Sequence, residues 1–104
     1  MKNEFAGHRE RLRERFLKTG FSGFAEHEVL ELLLTLCIPR RDVKDLAKVL
    51  LKKFGSLRCV FEASPEDLES VPGIGKASAV CIALIRDFAS YYLQQISDFY
   101  HFVL

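Results

Sequence analysis

The stretch Val71-Pro72-Gly73-Ile74-Gly75-Lys76 carries the residue types best suited to holding an anion. Two glycines around one aliphatic residue form a turn that a helix can follow at once, because glycine accepts the φ > 0 backbone that other residues resist. Amide N–H groups at the start of that second helix have no partner within it, and with the helix dipole they favour a phosphate. Ile74 anchors the turn in the core, and Lys76 adds a charge-assisted contact. Contacts of this kind address a nucleic-acid backbone and carry no sequence information. The same spacing also serves a plain helix–helix connection without a ligand, so the flanking elements decide between the two.

A second basic constellation lies upstream. Ile38-Pro39-Arg40-Arg41-Asp42 breaks the chain before a helix on which Lys44, Lys48 and Lys52 recur at i, i+4 along one face, with Asp45 the only acid among them. Placing Ile38-Pro39 over Val71-Pro72, and Ala47 to Leu51 over Ala79 to Ala83, makes the chain read as an internal duplication. The earlier turn is one residue longer and has no glycines, so Arg40 and Arg41 must reach phosphate with their guanidinium groups. The expected DNA-phosphate contacts are therefore Gly73, Ile74, Gly75, Lys76, Arg40, Arg41, Lys44 and Lys48.

Other chemistries find little support. The three cysteines, Cys37, Cys59 and Cys81, are far apart and never paired as C-x-x-C. They suggest neither a disulfide framework nor a zinc site; they read as small buried hydrophobes in a reducing, cytoplasmic compartment. His27 sits among Glu26, Glu28 and Glu31 with no second histidine at i+4, a pattern of an acidic first helical turn favoured by the dipole. A glycosylase-like enzyme would need an acid downstream of the glycine turn; Asp87 is the only one in range, and no catalytic constellation surrounds it. No catalytic residue and no cofactor pattern is expected.

The elements that must position these residues are helices. A chain of 104 residues with 49% hydrophobic content can bury a core as one domain. The net charge of +1 selects no partner, but its distribution is uneven: residues 1 to 24 and 40 to 58 are net basic, whereas 25 to 39 and 59 to 104 are net acidic. No signal peptide is expected from residues 1 to 6, and the longest apolar run is too short to cross a bilayer.

No segment alternates as a half-buried strand does, so the fold expected is all-α with about six helices. Residues 7–24 form an amphipathic N-terminal helix and linker, with His8, Leu12 and Phe16 on one face and a self-paired Arg/Glu face outside, stopped at Thr19-Gly20. Residues 25–55 form a degenerate hairpin unit: a buried leucine-rich helix, then a helix capped by Asp42 and ended by Gly55. Residues 56–93 form the intact hairpin unit, including a short helix with Ser64 as N-cap and Pro65 at N1, and a long alanine-rich helix from Lys76 to about Leu93. Residues 94–104 are an apolar tail, a candidate for self-association.

Leu68 to Ile82 fits the helix-hairpin-helix pattern, and the two units together resemble the tandem helix-hairpin-helix domains of UvrC-type repair nucleases. Four motifs, Gly7-His8-Arg9-Glu10-Arg11-Leu12, His27 to Leu34, Ile38 to Lys44 and Val71 to Gly75, are similar to the N-terminal domain of the RadC (UPF0758) family. The resemblance implies a DNA repair protein in which a JAMM/MPN metalloprotease-like domain follows; its His-x-His is absent from this chain, so no catalytic or zinc residue carries over. It also implies a monovalent cation, K⁺ or Na⁺, on the carbonyls of Glu69, Val71 and Ile74. Non-sequence-specific DNA binding is the function expected, with a protein-interaction or dimerisation module as the alternative.

Overall fold

The structure, a computed structural model, describes residues 4–39 and 41–103. Arg40, one of the expected phosphate contacts, lies outside the described residues. Six helices follow in order: α1 (Glu4–Thr19), α2 (Glu26–Cys37), α3 (Val43–Phe54), α4 (Leu57–Glu62), α5 (Pro65–Glu69) and α6 (Lys76–Val103), and no strand occurs among the described residues.

Local chemistry sets most boundaries. Gly20 and Gly55 adopt φ of 64° and 98° directly after α1 and α3, the left-handed turn-off that glycine permits. Asp42 Oδ1 accepts from the Lys44 amide at 2.9 Å, and Ser64 Oγ from the Asp67 amide at 3.1 Å. Ser56 does the same for α4 through the Cys59 amide. α2 begins at Ala25, which has no cap side chain; instead the Glu28 carboxylate reaches back to the Ala25 amide at 3.0 Å.

α2 is the central element, packing against α1, α3, α4 and α6, while α5 packs on α6. Leu30 and Leu34 of α2, Ala47 and Leu50 of α3, Leu68 of α5 and Ala79 of α6 are completely buried. Apolar contact removed from water at these positions is the main stabilising term. α2 is nevertheless not buried all round: Leu32 and Leu33 are half-buried and Leu36 is exposed.

Four expectations are corrected here. Cys37 and Cys81 form a disulfide, with Cα atoms 5.5 Å apart across 44 residues. Spacing along the sequence did not reveal it because the helices, not the local chain, bring the two sulfurs together. Cys59 is free and exposed rather than buried. The arginines of α1 are not self-paired: Arg15 pairs with Glu28 of α2 at 2.5 Å and lies over the Phe24 ring, and Arg9 binds backbone carbonyls. Finally, residues 94 to 103 are not a separate tail, since α6 runs on without a break, no glycine or proline interrupting it.

No helix among the described residues is long and apolar enough to cross a membrane.

Candidate nucleic-acid interface

The glycine turn is built as a tight reversal between α5 and α6. Leu68 carbonyl accepts the Val71 amide at 3.1 Å and Val71 carbonyl accepts the Ile74 amide at 3.0 Å. Gly73, with φ of 98°, supplies the left-handed residue, and Ile74 is 4% exposed, plugging the turn into the core as expected. Gly75 differs from Gly73. Its backbone is not left-handed and nothing lies within 4 Å of where a Cβ would sit, so the turn does not require glycine there, and the space beside its backbone is open. It stands immediately before α6 as the N-cap, its carbonyl accepting the Ala79 amide.

The earlier turn meets this one. Arg41 Nη1 lies 3.6 Å from the point where a Gly73 Cβ would stand. Arg41, Asp42, Asp45, Leu46 and Val49 line one side of a shallow groove of about 230 Å³, with Pro72 and Gly73 on the other. Arg41 and Gly73 are thus brought together, whereas the lysine row is not in the groove. On a helix of 100° per residue, Lys44 and Lys48 are turned about 100° from the Asp45/Val49 edge, and both are exposed. Lys76 is exposed at the first position of α6.

Lys53, which the i, i+4 row of Lys44, Lys48 and Lys52 passed over, donates to Ser70 Oγ at 2.6 Å beside the turn. It lies next to Val49 on the groove edge of the α3 wheel, a signal readable in the sequence once that edge is known. Two acids temper the charge: Asp42 is engaged as the α3 cap, and Asp45 is exposed in the groove. Of the three carbonyls expected to hold a monovalent cation, that of Val71 is already engaged by the Ile74 amide.

What fixes the Arg41 loop is α1. Arg9 Nη2 donates to the carbonyls of Ile38 and Arg41, each at 2.6 Å, and Nη1 to that of Thr35 at 3.3 Å. Burial lowers the pKa of this guanidinium, the nearby Arg13 lowers it further, and Asp42 acts the other way. Ser78 Oγ of α6 donates to the Cys37 carbonyl at 3.2 Å, one residue from the loop. Behind these, Glu31, wholly buried, accepts from His8 Nε2 at 2.6 Å and His27 Nδ1 at 2.7 Å, tying α1 to α2. His27 is therefore part of an interhelical polar lock, a role its acidic sequence neighbours did not disclose. Among the described residues no cluster of His, Cys, Asp or Glu could hold a metal ion.

Similarity to known proteins follows the same residues. The chain is 54% identical over 84 residues to a UPF0758 protein of Fusobacterium nucleatum, covering 81% of this chain and 36% of that one. It is 49% identical over 70 residues to a UPF0758 protein of Ruegeria pomeroyi, covering 67% and 31%. With UPF0758 protein YsxA of Bacillus subtilis the identity is 38% over 96 residues, covering 92% and 41%. The chain thus spans between 31% and 41% of the length of these relatives. No solved structure matches it. A family model described as UPF0758 N-terminal matches residues 6–80, which takes in the α1 clamp, the Glu31 lock and both turns: the chain belongs to the UPF0758 family.

Proposed function

We propose that this domain binds DNA without sequence specificity, through the backbone phosphates, and that its two turns form a tandem helix-hairpin-helix. The observation that carries the reading is the seating of the Arg41 guanidinium against Gly73. It sets a planar, bidentate phosphate donor beside an open glycine turn at a helix start, where oriented amides favour the same anion. Gly73 to Lys76 supply the backbone side of the contact, with Ile74 as anchor. Arg41 and Lys53 supply charge from the α3 side, and Lys44 and Lys48 extend the basic surface to a neighbouring face. Arg40 belongs to the same proposal by its place in the sequence. The resemblance to RadC, a family associated with DNA repair, points the same way, and in the full-length relatives a metalloprotease-like domain is the proposed companion.

The test is a titration of duplex DNA at two salt concentrations. With few phosphates neutralised, the dissociation constant should lie on the order of 10⁻⁴ to 10⁻⁶ M at physiological salt and rise steeply as salt increases. Arg41→Ala should weaken binding and reduce the salt slope by about one unit. Gly75→Ser is the sharper variant: serine is a good N-cap, so stability is kept, while its hydroxyl occupies the amides a phosphate would use. Asp45→Asn should strengthen binding by removing an acid from the groove. An absence of binding at low salt, or affinity indifferent to both Gly75→Ser and Arg41→Ala, refutes the proposal.

A further inference from the structure

Among residues 87 to 102 of α6 only Ile96 is even half-buried; every other one is exposed. Yet the segment is aromatic-rich: Phe88, Tyr91, Tyr92, Phe99, Tyr100 and Phe102 are 55% to 90% exposed. At roughly 200 Å² per aromatic side chain, the four that share one face, Phe88, Tyr92, Phe99 and Tyr100, leave about 470 Å² open. With the exposed Leu93 and the apolar groove beside it, this face approaches the share each partner contributes to a standard stable interface and exceeds what scattered surface apolars present.

The residues are arranged, not scattered. Taking Ile85 as the origin of a wheel with 100° per residue, Phe88, Ala89, Tyr92, Ile96, Phe99 and Tyr100 fall within about 60° of it on either side. Asp87, Asp98 and His101 lie on the opposite side, so the stripe is free of charge. Ile85 packs against the core of its own domain, and the same face then continues beyond it without a partner.

The stripe borders an apolar groove. Ile85, Ala89 and Leu93 of α6 form one wall, Leu57 and Phe61 of α4 the other, and Leu33 of α2 lies between, around a volume of about 310 Å³.

We propose that a second copy of this chain covers this face, the two α6 helices pairing antiparallel about a twofold axis level with Gln94. Tyr92 of one copy then meets Ile96 of the other at the axis, and Phe88 meets Phe99. Tyr100 passes over the small Ala89, which lets the helices approach closely, and reaches the groove of Leu57 and Phe61. A twofold pairing buries the same patch on both copies and closes the assembly at a dimer. The axis and register follow from the placement of large and small residues and do not depend on the DNA reading.

Sedimentation equilibrium of the 104-residue chain tests this with a matched pair of variants. Unmodified protein should show twice the chain mass of 11.9 kDa. Tyr92→Glu, on the stripe, should raise the dimer dissociation constant about a hundredfold, since it buries two uncompensated carboxylates at the centre of the interface. Tyr91→Glu makes the same change one residue away and about 100° round the helix, and should leave the mass at the dimer value. Both tyrosines are exposed, so neither change threatens folding. A monomer in the unmodified protein, a dimer that survives Tyr92→Glu, or equal loss from both variants overturns the proposal.

Discussion

Arg9 holds the carbonyl of Arg41 at 2.6 Å across 32 residues of sequence, so the first helix clamps the loop that carries the candidate phosphate ligand. The same guanidinium satisfies the Ile38 and Thr35 carbonyls, which lie at or beside the C-terminal end of α2, where orphan carbonyls need donors. Arginine is needed because one planar fork spans three acceptors; an ammonium offers one compact point. Arg9→Lys should cost about 1–2 kcal/mol of stability, measured by urea denaturation. It should also speed amide exchange at Ile38, Arg41 and Asp42 and, on the DNA-binding proposal, weaken that binding without touching the DNA.

Glu31 has both carboxylate oxygens engaged by histidines from two helices and is wholly buried. Glu31→Ala removes the shared acceptor and leaves a cavity at the α1–α2 junction. A loss of about 3 kcal/mol is expected, within the range for breaking a buried charged contact. His8→Ala should cost less, about 1–2 kcal/mol, because one oxygen keeps its partner. If both variants unfold at the wild-type urea midpoint, the lock contributes nothing.

Glu28 sets a pH dependence. The Arg15 side-chain hydrogen bond, then the Ala25 amide, hold its carboxyl down from 4.5 to about 2. A folded-state value below the unfolded one means the contribution is complete above about pH 4.5 and is lost as pH falls towards 2. Stability measured across that window should therefore drop less steeply in Glu28→Gln than in the parent. Because the Arg15 side chain is 44% exposed, salt should shrink the difference.

The Cys37–Cys81 bond closes a long loop between the end of α2 and the first turns of α6. Restricting the unfolded chain over that separation is worth about 2–4 kcal/mol. Reducing agent, or Cys37→Ser, should lower the unfolding midpoint accordingly. The intact mass of the oxidised protein should fall short of the reduced one by two hydrogens, and equal masses would show that the bond does not form.

Where capping chemistry is local, the sequence was a sufficient guide. Asp42, Gly55, Ser64 and Pro65 each end or start a helix through groups within four residues, and apolar spacing placed Leu12 on the inner face of α1, where it is buried. The end of α6 was misread because an apolar run without a stop signal looks the same as tail or helix until the backbone is followed. Arg9 and Arg15 were misread for a related reason: alternation with Glu10 and Glu14 suggested pairing along one helix, and partners on another helix offered better geometry.

By itself, then, the sequence determined an all-α chain, its turns, its capped helices and its membership of a family whose four motifs it carries. Those properties depend on interactions between near neighbours, or on residue identity alone. Only the tertiary structure decided that Arg41 meets Gly73, that Lys53 rather than Lys44 or Lys48 borders the turn, that two histidines share Glu31, and that two distant cysteines join. Each of these depends on the angle and register at which helices pack, which many side chains set together and no local spacing encodes.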